Sequence, residues 1–74
     1  MATVLHLYKG GDPGLARAAI ERALGAGDRV GVALLHGASL STLPARVRIQ
    51  RVPEELSWDA LLEQIFAADQ VITW

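Results

Sequence analysis

The chain has 74 residues, a formal net charge of −1, 51% apolar residues and 20% charged ones. That composition excludes a disordered chain or polar linker, and the length leaves room for one small domain, taken as residues 1–74. At this size burial roughly balances conformational entropy; with no cysteine, neither disulfides nor thiolate zinc can tip the balance, so a partner subunit is expected to.

The near-neutral charge provides no field to attract nucleic acid or an acidic membrane. No apolar run approaches the ~18 residues that span a bilayer. Met1 to Val4 carries no basic segment and runs directly into strand-like sequence, so a signal peptide is not expected and the cytoplasm is the expected location.

Thr3 to Tyr8 (TVLHLY) is a continuous apolar run, the pattern of a strand buried on both faces in a parallel sheet. Asp12-Pro13 starts a helix: the carboxylate can accept from free first-turn N–H groups, and proline at the first helical position sacrifices no bond. Ala16, Ala19, Ile20, Ala23 and Leu24 form its apolar stripe, and Gly25 and Gly27 stop it. Arg29 to Leu35 is a second buried strand, ending at His36-Gly37. Residues 38–45 form an aperiodic connector with Ser39, Ser41, Thr42 and Pro44. Arg46 to Val52 alternates, with Val47 and Ile49 on one face and Arg48 and Gln50 on the other. Ser57 caps a second helix in which Trp58, Leu61, Leu62, Ile65 and Phe66 follow at helical spacing. Gln70 to Trp74 is a last short strand.

The order β-α-β-connector-β-α-β predicts an α/β fold, a small, mostly parallel four-stranded sheet with a helix on each face. A strand order 2-1-3-4 with right-handed crossovers would place the helices on opposite faces. One helix per face leaves a four-stranded sheet incompletely covered, so bare sheet and an oligomer are expected. Ligands of such sheets sit beyond the carboxyl ends of strands where the order reverses. Here that cleft is expected between Lys9-Gly10-Gly11 and Arg51 to Glu55.

Candidate chemistry is sparse. Backbone N–H groups around Lys9, Gly10, Gly11 and Gly14 could hold an anion at the strand-to-helix turn, although neither a Walker loop nor a dinucleotide fingerprint is present. The bland reading is a tight turn with a capped helix, and Asp12 sets a negative charge where an anion would sit. His6 and His36 could approach one another on neighbouring strands, but no third metal ligand accompanies them, and a hydrogen-bonded core or interface histidine is the simpler role for His6. The hydroxyls of Ser39, Ser41 and Thr42 lack a Gly-x-Ser-x-Gly elbow or an acid–base pair. Arg46, Arg48 and Arg51 are the only local basic cluster; few other basic residues are near enough to extend it for RNA, which favours ion pairing at a surface or subunit interface. Glu54 and Glu55 read as a solvated turn rather than an acid or base. Trp58 and Trp74 are expected in the core or at an interface. No catalytic residue, metal site or cofactor is expected, and His6, Arg48, Trp58 and Trp74 are the interface candidates.

Val4-Leu5-His6-Leu7, Gly27-Asp28-Arg29-Val30 leading to His36-Gly37-Ala38, and the closing Ala68-Asp69-Gln70-Val71-Ile72-Thr73-Trp74 together resemble the DsrE/DsrF/DsrH-like sulfur-relay family, in particular its DsrH/TusB branch. The helix beginning Trp58-Asp59-Ala60-Leu61-Leu62 adds to that resemblance. It implies a flavodoxin-like sandwich and a hetero-oligomer with cysteine-bearing DsrE/TusD-like and DsrF/TusC-like subunits. Such complexes pass persulfide sulfur towards the 2-thiolation of the tRNA wobble uridine. The family's relay cysteine follows the third strand, where this chain has Arg51-Val52-Pro53-Glu54-Glu55-Leu56. A persulfide needs a thiol, so the resemblance implies a non-catalytic subunit without direct contact to nucleic acid. Two other readings stand beside it: a small-anion or nucleotide-binding module, and a self-associating regulatory or scaffold protein.

Overall fold

The fold is given by a computed structural model that describes residues 2–40 and 43–74. Strands β1 (Thr3–Tyr8), β2 (Arg29–Leu34), β3 (Arg48–Arg51) and β4 (Gln70–Thr73) alternate with helices α1 (Pro13–Gly25) and α2 (Trp58–Ala67). All three strand pairings are parallel, and the sheet order is β3-β2-β1-β4. The small α/β sandwich expected from the apolar runs is therefore present.

The order corrects the expected 2-1-3-4. The third strand begins at Arg48 rather than Arg46, and the connection from β2 accordingly runs from residue 35 to residue 47. That length suffices for a crossover between adjacent parallel strands. β3 thus lies beside β2, and α2 carries the chain across the sheet to the far side of β1.

Local sequence explains both helices. Asp12 caps α1, its carboxylate accepting from the N–H groups of Gly14 at 2.9 Å and Leu15 at 3.2 Å. The helix ends in a reciprocal pair of bonds, Gly27 N–H to the Leu24 carbonyl and Asp28 N–H to the Ala23 carbonyl, with Gly27 at φ 85°. That geometry places Gly27 in the left-handed region, where glycine alone carries no Cβ penalty. Ser57 caps α2 by accepting from Ala60 N–H at 3.1 Å.

The sheet separates two apolar clusters. On one face Ala16, Ile20 and Leu24 of α1, spaced four apart, pack on Tyr8, Val30, Val32 and Leu34, with Leu40 and Val47 of the connector beside them. On the other, Leu61 of α2 packs with Leu5, Ala33, Leu35, Val52 and Leu56. The helices lie on opposite faces, and beside them the sheet is covered only in part, with Ile49 of β3 left 37% exposed. The connector supplies Leu40 and Val47 on the α1 face, and the turn after β3 supplies Val52 and Leu56 on the α2 face, doing locally what further helices would do.

Candidate functional site

The reversal of strand order falls between β1 and β4, not between β1 and β3, because β2 intervenes. The cleft expected between Lys9-Gly10-Gly11 and Arg51–Glu55 is therefore not one site. At the actual reversal point stands Trp74. Its N–H donates to the Leu7 carbonyl at 2.9 Å, and its carbonyl accepts from Lys9 N–H at 3.1 Å. Gly11 lies so close that a Cβ there would stand 2.8 Å from the Trp74 carbonyl carbon. The Tyr8 hydroxyl donates to the Gly11 carbonyl at 2.7 Å. In the turn Lys9, Gly10, Gly11 and Gly14, the N–H groups of Lys9 and Gly14 already have acceptors within the chain.

His6, in the centre of β1 and 1% exposed, accepts at Nδ1 from the Trp74 indole Nε1–H at 2.9 Å. An accepting Nδ1 puts the imidazole proton on Nε2, which is buried and has no hydrogen-bond partner among the described residues. Burial pushes the His6 pKa below its ordinary value of 6.5, so the ring is neutral. His36 does not join it. His6 is in register with Val32, whereas His36 lies in the turn two residues beyond the end of β2, exposed and at φ 56°.

Asp28 and Asp69 have a shared structural task. Asp28, just before β2, accepts from Ala2 N–H at 3.2 Å; Asp69, just before β4, accepts from Thr3 N–H at 2.7 Å. β1 enters the sheet between them, its leading donors satisfied by a carboxylate from each neighbour. Sequence reasoning did not assign either role, although an aspartate directly before two strands that flank a third was the available signal.

The arginine cluster is split by strand alternation. Arg48 pairs in register with Gly31 on the α2 face, whereas Arg51 pairs with Leu34 on the α1 face and at the opposite end of β3. Arg51 and Glu54 line a small cavity of about 200 Å³ with Ser39. Glu55 accepts from Arg51 N–H at 2.9 Å, a turn-closing role. Ser41 and Thr42 lie outside the described residues.

The most distinctive surface is on α2. Trp58, Leu61, Leu62, Ile65 and Phe66 span an arc of about 140° at 100° per residue, more than a flat sheet meets. The structure divides them. Leu61 is buried and Ile65 packs against the core, while Trp58, Leu62 and Phe66, one turn apart, are 52%, 51% and 80% exposed. Gln64 Nε2 donates to Gln50 Oε1 of β3 at 3.2 Å, which orients that flank of the helix towards β3. The exposed stripe therefore lies on the side away from β3, towards β4. β4 itself is an edge strand, with β1 on one side only, and its residues Gln70, Val71, Ile72 and Thr73 are uncharged. Trp58 was expected in the core or at an interface, and its core alternative is overturned by this exposure. Trp74 and His6 face inward, and Arg48 lies two strands away from His6 on the opposite face of the sheet.

No group of three or more metal-binding side chains occurs among the described residues, and no helix there is long and apolar enough to cross a membrane. Comparison with protein-family models, with curated proteins and with solved structures finds no match.

Proposed function

We propose that the chain is a non-catalytic subunit that acts by binding a partner, through the outer flank of α2 and the adjoining edge of β4. The observation that carries this reading is the stripe of Trp58, Leu62 and Phe66, exposed at 52%, 51% and 80%. Two aromatics and a leucine exposed to this degree present roughly 400 Å² of apolar surface, the size of the largest apolar patch on a typical monomer, which is often functional. An uncharged edge strand beside it offers backbone donors and acceptors to the same partner.

The resemblance to DsrH/TusB supports a specific partner: a cysteine-bearing DsrE/TusD-like subunit, with a DsrF/TusC-like one, in a cytoplasmic sulfur relay serving tRNA 2-thiolation. The chain has no cysteine, so every persulfide in such a relay is carried by the partner, and this subunit contributes surface and stability. Tagging the chain in its native host and identifying what co-purifies tests the proposal. A stoichiometric cysteine-bearing relative, lost on Phe66→Glu, is the expected result. A chain recovered alone, or only with further copies of itself, overturns it.

A further inference from the structure

A second surface lies at the amino ends of the strands, lined from Leu24 of α1 on one face to Gln64 of α2 on the other, and it has no part in the proposal above. Alternation along β2 places Arg29 and Gly31 on the face opposite Val30, and the parallel register sets Arg48 beside Gly31. Arg46 precedes Arg48 by two residues. These three arginines, all exposed, border an open groove of about 570 Å³ that reaches Gln64 near the end of α2 and has Leu5 and Gly31 in its lining. The volume falls in the range of sites for small organic ligands.

Gly31 is the second observation. Glycine weakens a buried strand, and in a strand interior it marks either a bulge or the close approach of another group. There is no bulge here: the register with β1 and β3 runs unbroken through Gly31. Its backbone is not in the left-handed region, and a Cβ would meet Leu5 Cδ1 at 3.6 Å, an ordinary contact. Packing within the chain therefore does not require glycine at this position. Its effect is to leave the groove open beside three cations. Asp28 is the single carboxylate in the lining, and three arginines against one carboxylate leave the rim positive.

We infer that this groove binds an organic phosphate of nucleotide size, with its planar body over Gly31 and its phosphates on Arg29, Arg46 and Arg48. Guanidinium groups pair with phosphate oxygens in bidentate fashion and also stack on aromatic planes, so one rim can recognise both parts of such a ligand. The location differs from the glycine turn after β1.

Calorimetric titration of the full chain with ADP, adenosine and pyrophosphate tests the assignment. ADP is expected to saturate one site and to bind about tenfold or more tightly than either fragment. Arg48→Gln should weaken ADP by about tenfold or more, Gly31→Val should abolish binding by filling the groove, and Arg51→Gln should change nothing. Circular dichroism confirms folding of each variant. The arginine pair keeps the comparison decisive even where Gly31→Val disturbs the strand. An absence of saturable ADP binding overturns the inference. So does an equal loss in Arg51→Gln and Arg48→Gln, which would mean general charge attraction, and so does pyrophosphate binding as tightly as ADP.

Discussion

The indole N–H of Trp74 reaches across from the end of β4 to the Nδ1 of His6 in β1 at 2.9 Å, with the two ring planes within 13° of one another. The near-coplanar arrangement is that of an in-plane hydrogen bond. It fixes the histidine tautomer and ties the last residue of the chain to the centre of the sheet. Replacing the indole by phenylalanine removes the hydrogen-bond donor to a 1% exposed imidazole, which is expected to cost about 1–3 kcal/mol in chemical denaturation.

Burial of His6 makes stability depend on pH. In the unfolded chain His6 titrates near its ordinary 6.5, and in the folded chain burial holds its pKa lower. Between those two values the unfolded state binds more protons, so stability rises with pH through that window. The contribution is complete above about pH 7 and is lost as the pH falls from 6.5 towards the folded value. Melting temperatures measured from about pH 8 to 5 should show this acid limb, and His6→Leu should flatten it. A limb of the same size in His6→Leu would assign it to other groups.

Asp28 and Asp69 hold the entry of β1, and the shorter bond is that of Asp69 to Thr3 N–H at 2.7 Å. Asp69→Ala is expected to destabilise by about 1 kcal/mol and to speed hydrogen exchange at the Thr3 amide. Glu63→Ala, on the exposed side of α2, should leave both unchanged. Unaltered exchange at Thr3 in Asp69→Ala would mean that the carboxylate adds nothing to the strand entry.

Much of this fold is legible in the residues themselves. The continuous apolar runs TVLHLY and RVGVAL are buried parallel strands, and Asp12-Pro13 and Ser57 mark the two helix starts where they occur. What was not legible is long-range. Nothing local to Arg46-Val47-Arg48 says that β3 begins only at Arg48, yet that delay lengthens the connector, sets β3 beside β2 and moves the strand reversal to β1 and β4. The helix pattern of α2 was similarly ambiguous. Period alone counted Trp58, Leu62 and Phe66 with the core, whereas the flatness of the sheet leaves them outside. Arg29 was absent from the basic cluster because only the register of two strands brings it near Arg48.

Two glycines with opposite surroundings provide a direct check on the packing. A Cβ at Gly11 would stand 2.8 Å from the Trp74 carbonyl carbon, whereas one at Gly25, the last residue of α1, meets nothing within 4 Å. Gly11→Ala is expected to lower the melting temperature by displacing the end of β4. Gly25→Ala is expected to raise stability by about 0.5–1 kcal/mol, since alanine restricts the unfolded chain and suits a helix. Equal effects of the two substitutions would contradict the close approach of Gly11 to Trp74.

The claim that organises the rest is that the chain works by docking its α2 flank and β4 edge on a cysteine-bearing partner. Native mass spectrometry of the complex from the host, with the wild-type chain and with Leu62→Glu/Phe66→Glu, tests it most directly. Both side chains are more than half exposed, at 51% and 80%, so the double variant should fold with an unchanged circular dichroism spectrum. The expected result is a hetero-complex with the wild-type chain and a free 7.9 kDa chain with the variant. A variant that assembles as fully as the wild type, or a wild-type chain found alone, would contradict the account.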